Sequence, residues 1–310
     1  MEFITMAAAY LAAAIKMAIP ITLAGLGESI SEKSGVLNIG IEGIMLGGAF
    51  GSFIIAYFTD NLFLGVLAGI LSGIIVSLIH AVISIKCKAD QTIVGLALNF
   101  LVLGLSSFMF LMVFGQTTDL PSIAVFKVIR IPILSKIPVI GEILFIQDAF
   151  VYFTIFMVII LSIIFYKTEW GINLHAVGEN PRAADTAGLN VNKIRYISCL
   201  FNGALGGLAG TYMTLVQFGF FIENITAGRG YIALAAVTLG RRNPVGVFAA
   251  SLVIGFAEAL QYGLQTMGIP VPSQLFTMFP YVIAVLVLLF SIGKTKNPTA
   301  LGTPYIRSER

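Results

Sequence analysis

Eight apolar runs, at about 4–27, 36–58, 62–85, 91–114, 150–166, 196–219, 245–266 and 273–292, fill most of this chain and leave it few ways to fold. Each is close to the roughly 20 residues that an α-helix needs to cross a bilayer. Hydrocarbon offers the backbone no water, so a span is either a helix or a strand of a closed barrel. Barrel strands alternate apolar and polar residues over about ten positions, and these runs do not. The chain therefore reads as a single all-α integral membrane domain over 1–310: a polytopic helical bundle of about nine or ten crossings, some of them broken or half-helices. A content of 58% hydrophobic and 11% charged residues, with mean hydropathy +0.97, excludes an ordinary soluble globule.

One further apolar stretch, Gly228–Gly240, is too short to span and is bounded by Arg229, Arg241 and Arg242. It reads as a half-helix, and irregular backbone at such depth is tolerated only where protein or a water-filled path covers it. It is a candidate element of a pathway.

Charge gives the orientation. Lys86 and Lys88, then Lys167, Arg182, Lys193 and Arg195, then Lys294, Lys296, Arg307 and Arg310 occupy short loops or the carboxy-terminal end, which the positive-inside rule assigns to the cytosol. Residues of about 167–195 then form a cytosolic loop and those of about 115–149 an external one, although Lys127, Arg130 and Lys136 run against the rule. The amino terminus is external if 35–58 is one crossing, and internal if the chain breaks near Gly47 and Gly48. Cys87 and Cys199 fall near the cytosolic face and read as free packing thiols. Glu2, with no basic cluster before the first apolar run, argues against a cleaved signal peptide.

In the cytosolic loop, Asn180–Gly188 (NPRAADTAG) is a short polar helix with its own punctuation. Asn180 suits the N-cap, Pro181 the first helical position, and Gly188 a left-handed termination. It has little apolar face to bury in its own protein, and either links two spans or docks, with Lys193 and Arg195 beside it, in a groove of a cytosolic partner.

Polar groups inside membrane segments are costly and so are functional candidates. Asn38 and Glu42, four residues apart, would share a helical face and either line a path or tie two helices together. Asn99, Asn202, Gln217 and Glu223 are isolated groups of the same kind, suited to interhelical hydrogen bonds or to a path. Glycines at four-residue spacing (Gly43, Gly47, Gly51; Gly65, Gly69, Gly73; Gly203, Gly207; Gly206, Gly210) give smooth faces for packing inside the subunit or between subunits. The segments starting at Gly35 and Gly228 place Leu-Gly at one offset, Leu46-Gly47 and Leu239-Gly240, and hint at a duplication.

No catalytic or metal-binding set is present. His80 and His175 lack the HExxH spacing, no serine occupies a nucleophile elbow, and Gly293-Lys294-Thr295 lacks the first glycine of a phosphate-binding loop, Leu288 standing there instead. The sequence offers no nucleic-acid site and no cofactor site, and any ATP must be bound by another subunit.

Taken together, LGESISEKSGVLNIGIEGIMLGGAF at 26–50, GINLHAVGENPRAADTAGLNV at 171–191 and GRGYIALAAVTLGRRNP at 228–244 resemble the inner-membrane permeases of ABC importers for branched-chain amino acids, simple sugars and nucleosides. The first segment is more similar to nucleoside-type than to ribose-type permeases. His175 departs from the arginine expected there. The resemblance implies a multi-pass permease of the cytoplasmic membrane, working by alternating access with an ATPase subunit, a second related permease or a second copy of itself, an extracytoplasmic binding protein or lipoprotein, and membrane lipid around it. It also implies that Asn180, Pro181, Arg182, Ala183, Ala184, Asp185 and Gly188 couple to the ATPase. Nucleosides are the expected solute, with a ribose- or galactose-type sugar as the alternative. A reading of another class, an ion-coupled secondary transporter, needs a midplane carboxylate, for which Glu42 and Glu258 are the candidates.

Overall fold

The computed structural model describes residues 2–115, 120–132, 134–137, 139–266, 272–291 and 297–307. Pro138, Gly293, Lys294, Thr295, Lys296 and Arg310 lie outside the described residues.

Four long helices come first: α1 (Glu2–Lys33), α2 (Ile41–Thr59), α3 (Leu62–Ala81, continued by a π turn, Val82–Lys86) and α4 (Gln91–Phe114). A short helix α5 (Ile140–Leu144) and a two-residue strand pair, Ile129–Arg130 with Ile146–Gln147, order the segment before α6 (Ala149–Lys167). Then follow α7 (Glu169–Glu179), α8 (Pro181–Thr186) and α9 (Val191–Tyr212, continued by a π segment, Met213–Phe218). The chain closes with α10 (Arg229–Leu239), α11 (Pro244–Thr266), α12 (Ser273–Thr277) and α13 (Phe279–Ser291). Seven of these helices are long and apolar enough to cross a membrane, and Arg229–Leu239 and Gln274–Leu286 are shorter apolar helices.

Caps fix several of the boundaries. Asn61 accepts from Phe63 and Leu64 N–H, Asp90 from Thr92 and Ile93 N–H, and Asp148 from Val151 N–H. Each satisfies donors that a helix start leaves open. The helix α2 runs unbroken through Gly47 and Gly48, so 35–58 is one crossing and the amino terminus lies at the end opposite Lys33.

The centre of the bundle is α9, packed on α1, α2 and α3. Its span is 78% buried against 22% for α4, which turns its apolar surface outward. Lipid provides no hydrophobic drive between helices, so close contact depends on small residues. A Cβ on Gly48 would lie 2.4 Å from the Gly207 carbonyl oxygen, and one on Gly73 2.3 Å from that of Gly203. These glycine rows therefore pack helices within the subunit. The proposed duplication finds no matching helices: α2 starts six residues after Gly35 and passes through Leu46-Gly47, whereas α10 starts directly after Gly228 and stops at Leu239.

At one end of the bundle, here the loop end, the 34–40 turn, α7, α8, the start of α9, the 241–243 turn and segment 297–307 converge. Gly178 packs on the Lys33 carbonyl, and its own carbonyl accepts from Ala300 N–H at 3.0 Å. The opposite end gathers the described residues of 120–132, 134–137 and 139–148 and the 213–221 segment, joined by Ile123 N–H to the Gly219 carbonyl at 2.8 Å. Cys199 is buried, as a packing thiol should be, but Cys87 is exposed.

Candidate functional site

After the π segment the chain turns back at Gly219 and enters α10 through Gly228, whose φ is +83°. With 11 residues, α10 is about 16 Å long, roughly half the hydrocarbon thickness. Its far end reaches the loop end, where Arg242 pairs with Glu32 of α1. Its N-terminus thus opens at about mid-depth, where free N–H groups need acceptors.

Glu42 provides them. Its Oε1 accepts from the Thr226 hydroxyl at 2.6 Å and from Gly228 N–H at 2.8 Å, and its Oε2 accepts from Gly230 N–H at 2.6 Å. The carboxylate also faces the positive end of the α10 dipole. A Cβ on Gly230 would lie 2.6 Å from Glu42 Cα, so this contact requires glycine. In this geometry Glu42 ties α2 to α10.

Further partners converge on the same tip. Asn99 of α4 donates from Nδ2 to the Tyr231 hydroxyl at 2.9 Å and to the Ile39 carbonyl at 3.0 Å, while its Oδ1 accepts from Gly43 N–H at 2.7 Å. Tyr281 donates to the Ala227 carbonyl at 2.7 Å. Arg229 is buried, 3.3 Å from Glu258 of α11. Arg229 and Glu258 thereby offset one another, whereas Glu42 is held by neutral donors alone. Tyr231, Tyr262 and Tyr281 stay 43%, 42% and 45% exposed, so the tip presents phenol rings and hydroxyls rather than ions.

The other polar candidates divide. Asn38 does not share a helical face with Glu42, because α2 begins only at Ile41 and Asn38 Oδ1 closes a turn on Gly40 N–H at 3.0 Å. Asn38 N–H and Asn202 Nδ2 instead bond the two oxygens of Glu28, at 2.9 and 2.6 Å. Gln217 donates to the Lys16 carbonyl of α1 at 3.3 Å. Glu223 is exposed on the 219–228 segment and makes no interhelical bond among the described residues. Glu28 and Glu32 were not among the residues singled out from the sequence, yet both are buried and bonded here. Their spacing of four inside a long apolar helix was the available signal.

At the loop end, Asn180 Oδ1 accepts from Ala183 N–H at 3.0 Å, Pro181 opens α8, and Gly188 holds φ +90° after it. The helix does bury something: Ala184 packs with Val177, Val191 and Tyr305. Arg182 and Ala183 face out, and Asp185 pairs with Arg307 at 3.0 Å. Arg195 does not flank a docking face. It is buried, donating to the Ser34 carbonyl at 3.3 Å and the Thr303 carbonyl at 3.0 Å. Burial, with Lys33 nearby, holds the His175 imidazole below its ordinary pKa, so it is neutral where an arginine would add charge.

A family model described as branched-chain amino acid transport system / permease component matches residues 10–288. This chain belongs to that permease family. It is an integral membrane transport component and not an enzyme. It is 38% identical to the guanosine ABC transporter permease protein NupQ of Bacillus subtilis, with 100% of both chains covered. Identity to the nucleoside ABC transporter permease protein NupC of Lactococcus lactis is 37%, covering 94% of each. With TsgC13 of Haloferax volcanii, whose name assigns it to glucose, identity is 32% over 97% of this chain and 98% of that one. Among solved structures, an ABC transporter of metal-chelate type in an inward-facing conformation matches with TM-score 0.51 and 15% identity, covering 91% of this chain and 85% of that one. That likeness concerns the fold alone.

Proposed function

We propose that the chain is the permease subunit of an ATP-binding-cassette importer that carries nucleosides into the cell by alternating access. The observation that carries this reading is full-length similarity at 37–38% identity to permeases named for guanosine and nucleosides. The tip chemistry agrees with it. Phenol rings stack on a nucleobase and their hydroxyls bond a sugar, while Arg229 is already paired with Glu258 and so offers no free cation to a phosphorylated solute.

The partners follow from the same reading: an ATPase subunit that binds the ATP, a second related permease or a second copy of this chain, an extracytoplasmic solute-binding protein or lipoprotein, and surrounding lipid. The loop end carries Lys86, Lys88, Lys167, Arg182 and Lys193 and is the cytosolic face on the positive-inside rule. The α8 helix is then the coupling element, with Asn180, Pro181 and Gly188 shaping it and Arg182, Ala183, Ala184 and Asp185 forming its body. Because α7 packs against the end of α1 at Gly178 and α8 packs on α9, a push on α8 is delivered to α1 and α9.

Glucose in the name of a full-length relative makes a simple sugar the second reading. An ion-coupled route is disfavoured, since Glu42 and Glu258 are both engaged. Deleting the chain in its host should abolish uptake of labelled guanosine and other nucleosides and confer resistance to toxic nucleoside analogues. Intact nucleoside uptake with lost glucose, ribose or galactose uptake would sink the nucleoside assignment and keep the importer.

A further inference from the structure

A groove of about 740 Å³ runs beside α8 at the loop end. Three separate stretches wall it: Lys86 and Lys88 after α3, the α8–α9 link from Asp185 to Asn192, and Tyr305 to Arg307. The third wall is fixed in place. Gly302 N–H bonds the Gly35 carbonyl at 3.1 Å, the Thr303 carbonyl accepts from Arg195, Tyr305 joins the apolar cluster under Ala184, and Arg307 holds Asp185.

The electrostatics of the groove are one-sided. Asp185 is already engaged by Arg307, whereas Lys86 and Lys88 are exposed and have no ion pair among the described residues. Lys88 is held with φ +58°, a left-handed backbone that a residue with a side chain adopts only under strain.

The α8 helix has only six residues, about 9 Å of helix. A stable protein interface covers roughly 800 Å² on each partner, so a subunit gripping α8 must also cover what flanks it. One flank is the groove, of which Asp185 and Gly188 are a wall. We infer that the ATPase subunit docks on this composite groove as well as on α8, and that it places a carboxylate-bearing segment against Lys86 and Lys88. This rests on the importer reading above. Opposite charge at that position aligns the two subunits and speeds their association.

The test uses the full chain with its second permease subunit in nanodiscs, and the ATPase that copurifies with them. Lys86→Gln/Lys88→Gln should weaken ATPase association roughly tenfold at low salt and flatten its salt dependence. Lys86→Glu/Lys88→Glu should weaken it further, and reversing a single acidic residue to lysine on the ATPase should restore it. Orientation is checked by labelling Cys87, which must remain reactive from the cytosolic side in each variant. Unchanged affinity and salt dependence in the glutamine variant would overturn the inference, and loss of copurified anionic lipid in that case would give the groove to a lipid headgroup instead. If the wild-type chain recruits no ATPase at all, the importer reading fails, which is a separate result.

Discussion

Two short helices, α8 and α10, are finished in opposite ways. The six residues of α8 are capped from within: Asn180 bonds a backbone N–H three positions on, and Gly188 ends the helix two residues past Thr186. The eleven residues of α10 have no side-chain cap of their own and begin at a glycine. Glu42 accepts from the N–H groups of Gly228 and Gly230, 186 and 188 positions away, and Arg229 N–H bonds the Thr226 carbonyl. The setting explains the contrast. At the water-facing end an open N–H can bond solvent, so a local cap of modest strength is enough. At mid-depth it has no solvent to bond, and a tertiary partner has to be brought in.

The largest expected effect comes from removing that partner. Glu42→Ala leaves two buried donors and one half-buried donor without an acceptor and should destabilise the bundle by on the order of 3–5 kcal/mol. Monodisperse protein and uptake should then fall together. Glu42→Gln keeps one oxygen but turns an amide toward Gly230 N–H, so it should give an intermediate loss of both. Wild-type thermal behaviour of the alanine variant in detergent would break the comparison, because α10 would then need no distant cap.

Gly230→Ala comes next. Its Cβ would meet Glu42 Cα at 2.6 Å, forcing α2 and α10 apart at an expected roughly 1–3 kcal/mol. The matched change at the other helix, Gly188→Ala, meets nothing within 4 Å and carries only the strain of φ +90°, roughly 1 kcal/mol. Unfolding midpoints of the pair separate packing from backbone strain, and equal shifts would show that the close approach at Gly230 is not restrictive.

Asn180→Ala should cost about 1 kcal/mol, confined to α8. Solute-stimulated ATP hydrolysis should fall while insertion and overall melting hold, and Asn180→Asp should restore it. If hydrolysis and transport stay at wild-type rates, α8 is only a linker. The smallest effect is expected from Asp185→Asn. The Arg307 side chain is 82% exposed, so the pair is screened by water and contributes about 0.5 kcal/mol or less. A large drop in melting temperature would mean that the 297–307 segment carries more than its contacts suggest.

The two regions were unequally legible. NPRAADTAG announces its N-cap, its proline and its terminating glycine, because the groups that start and end α8 lie within nine residues. The half-helix itself was visible as an apolar run too short to span. Its cap was not, since nothing in GVLNIGIEG tells a carboxylate that lines a path from one that accepts three hydrogen bonds. Asn38 and Glu42 were paired by helical spacing, but a turn at Gly40 places Asn38 ahead of α2 and sends its backbone to Glu28. Arg195 carried the charge of a cytosolic loop residue, yet the 34–40 turn and segment 297–307 close over it.

By itself the sequence determined the class of molecule. Apolar runs of bilayer length permit little but a helical bundle, and the caps and basic loops, being local, mark helix ends and the basic face. Only the tertiary structure decided which polar groups meet: Glu42 with the α10 N-terminus, Glu28 with Asn38 and Asn202, Glu32 with Arg242. The reason is physical. In hydrocarbon a buried polar group must find a partner, but its chemistry does not specify which one, and that choice is made by the small residues that set how closely the helices approach.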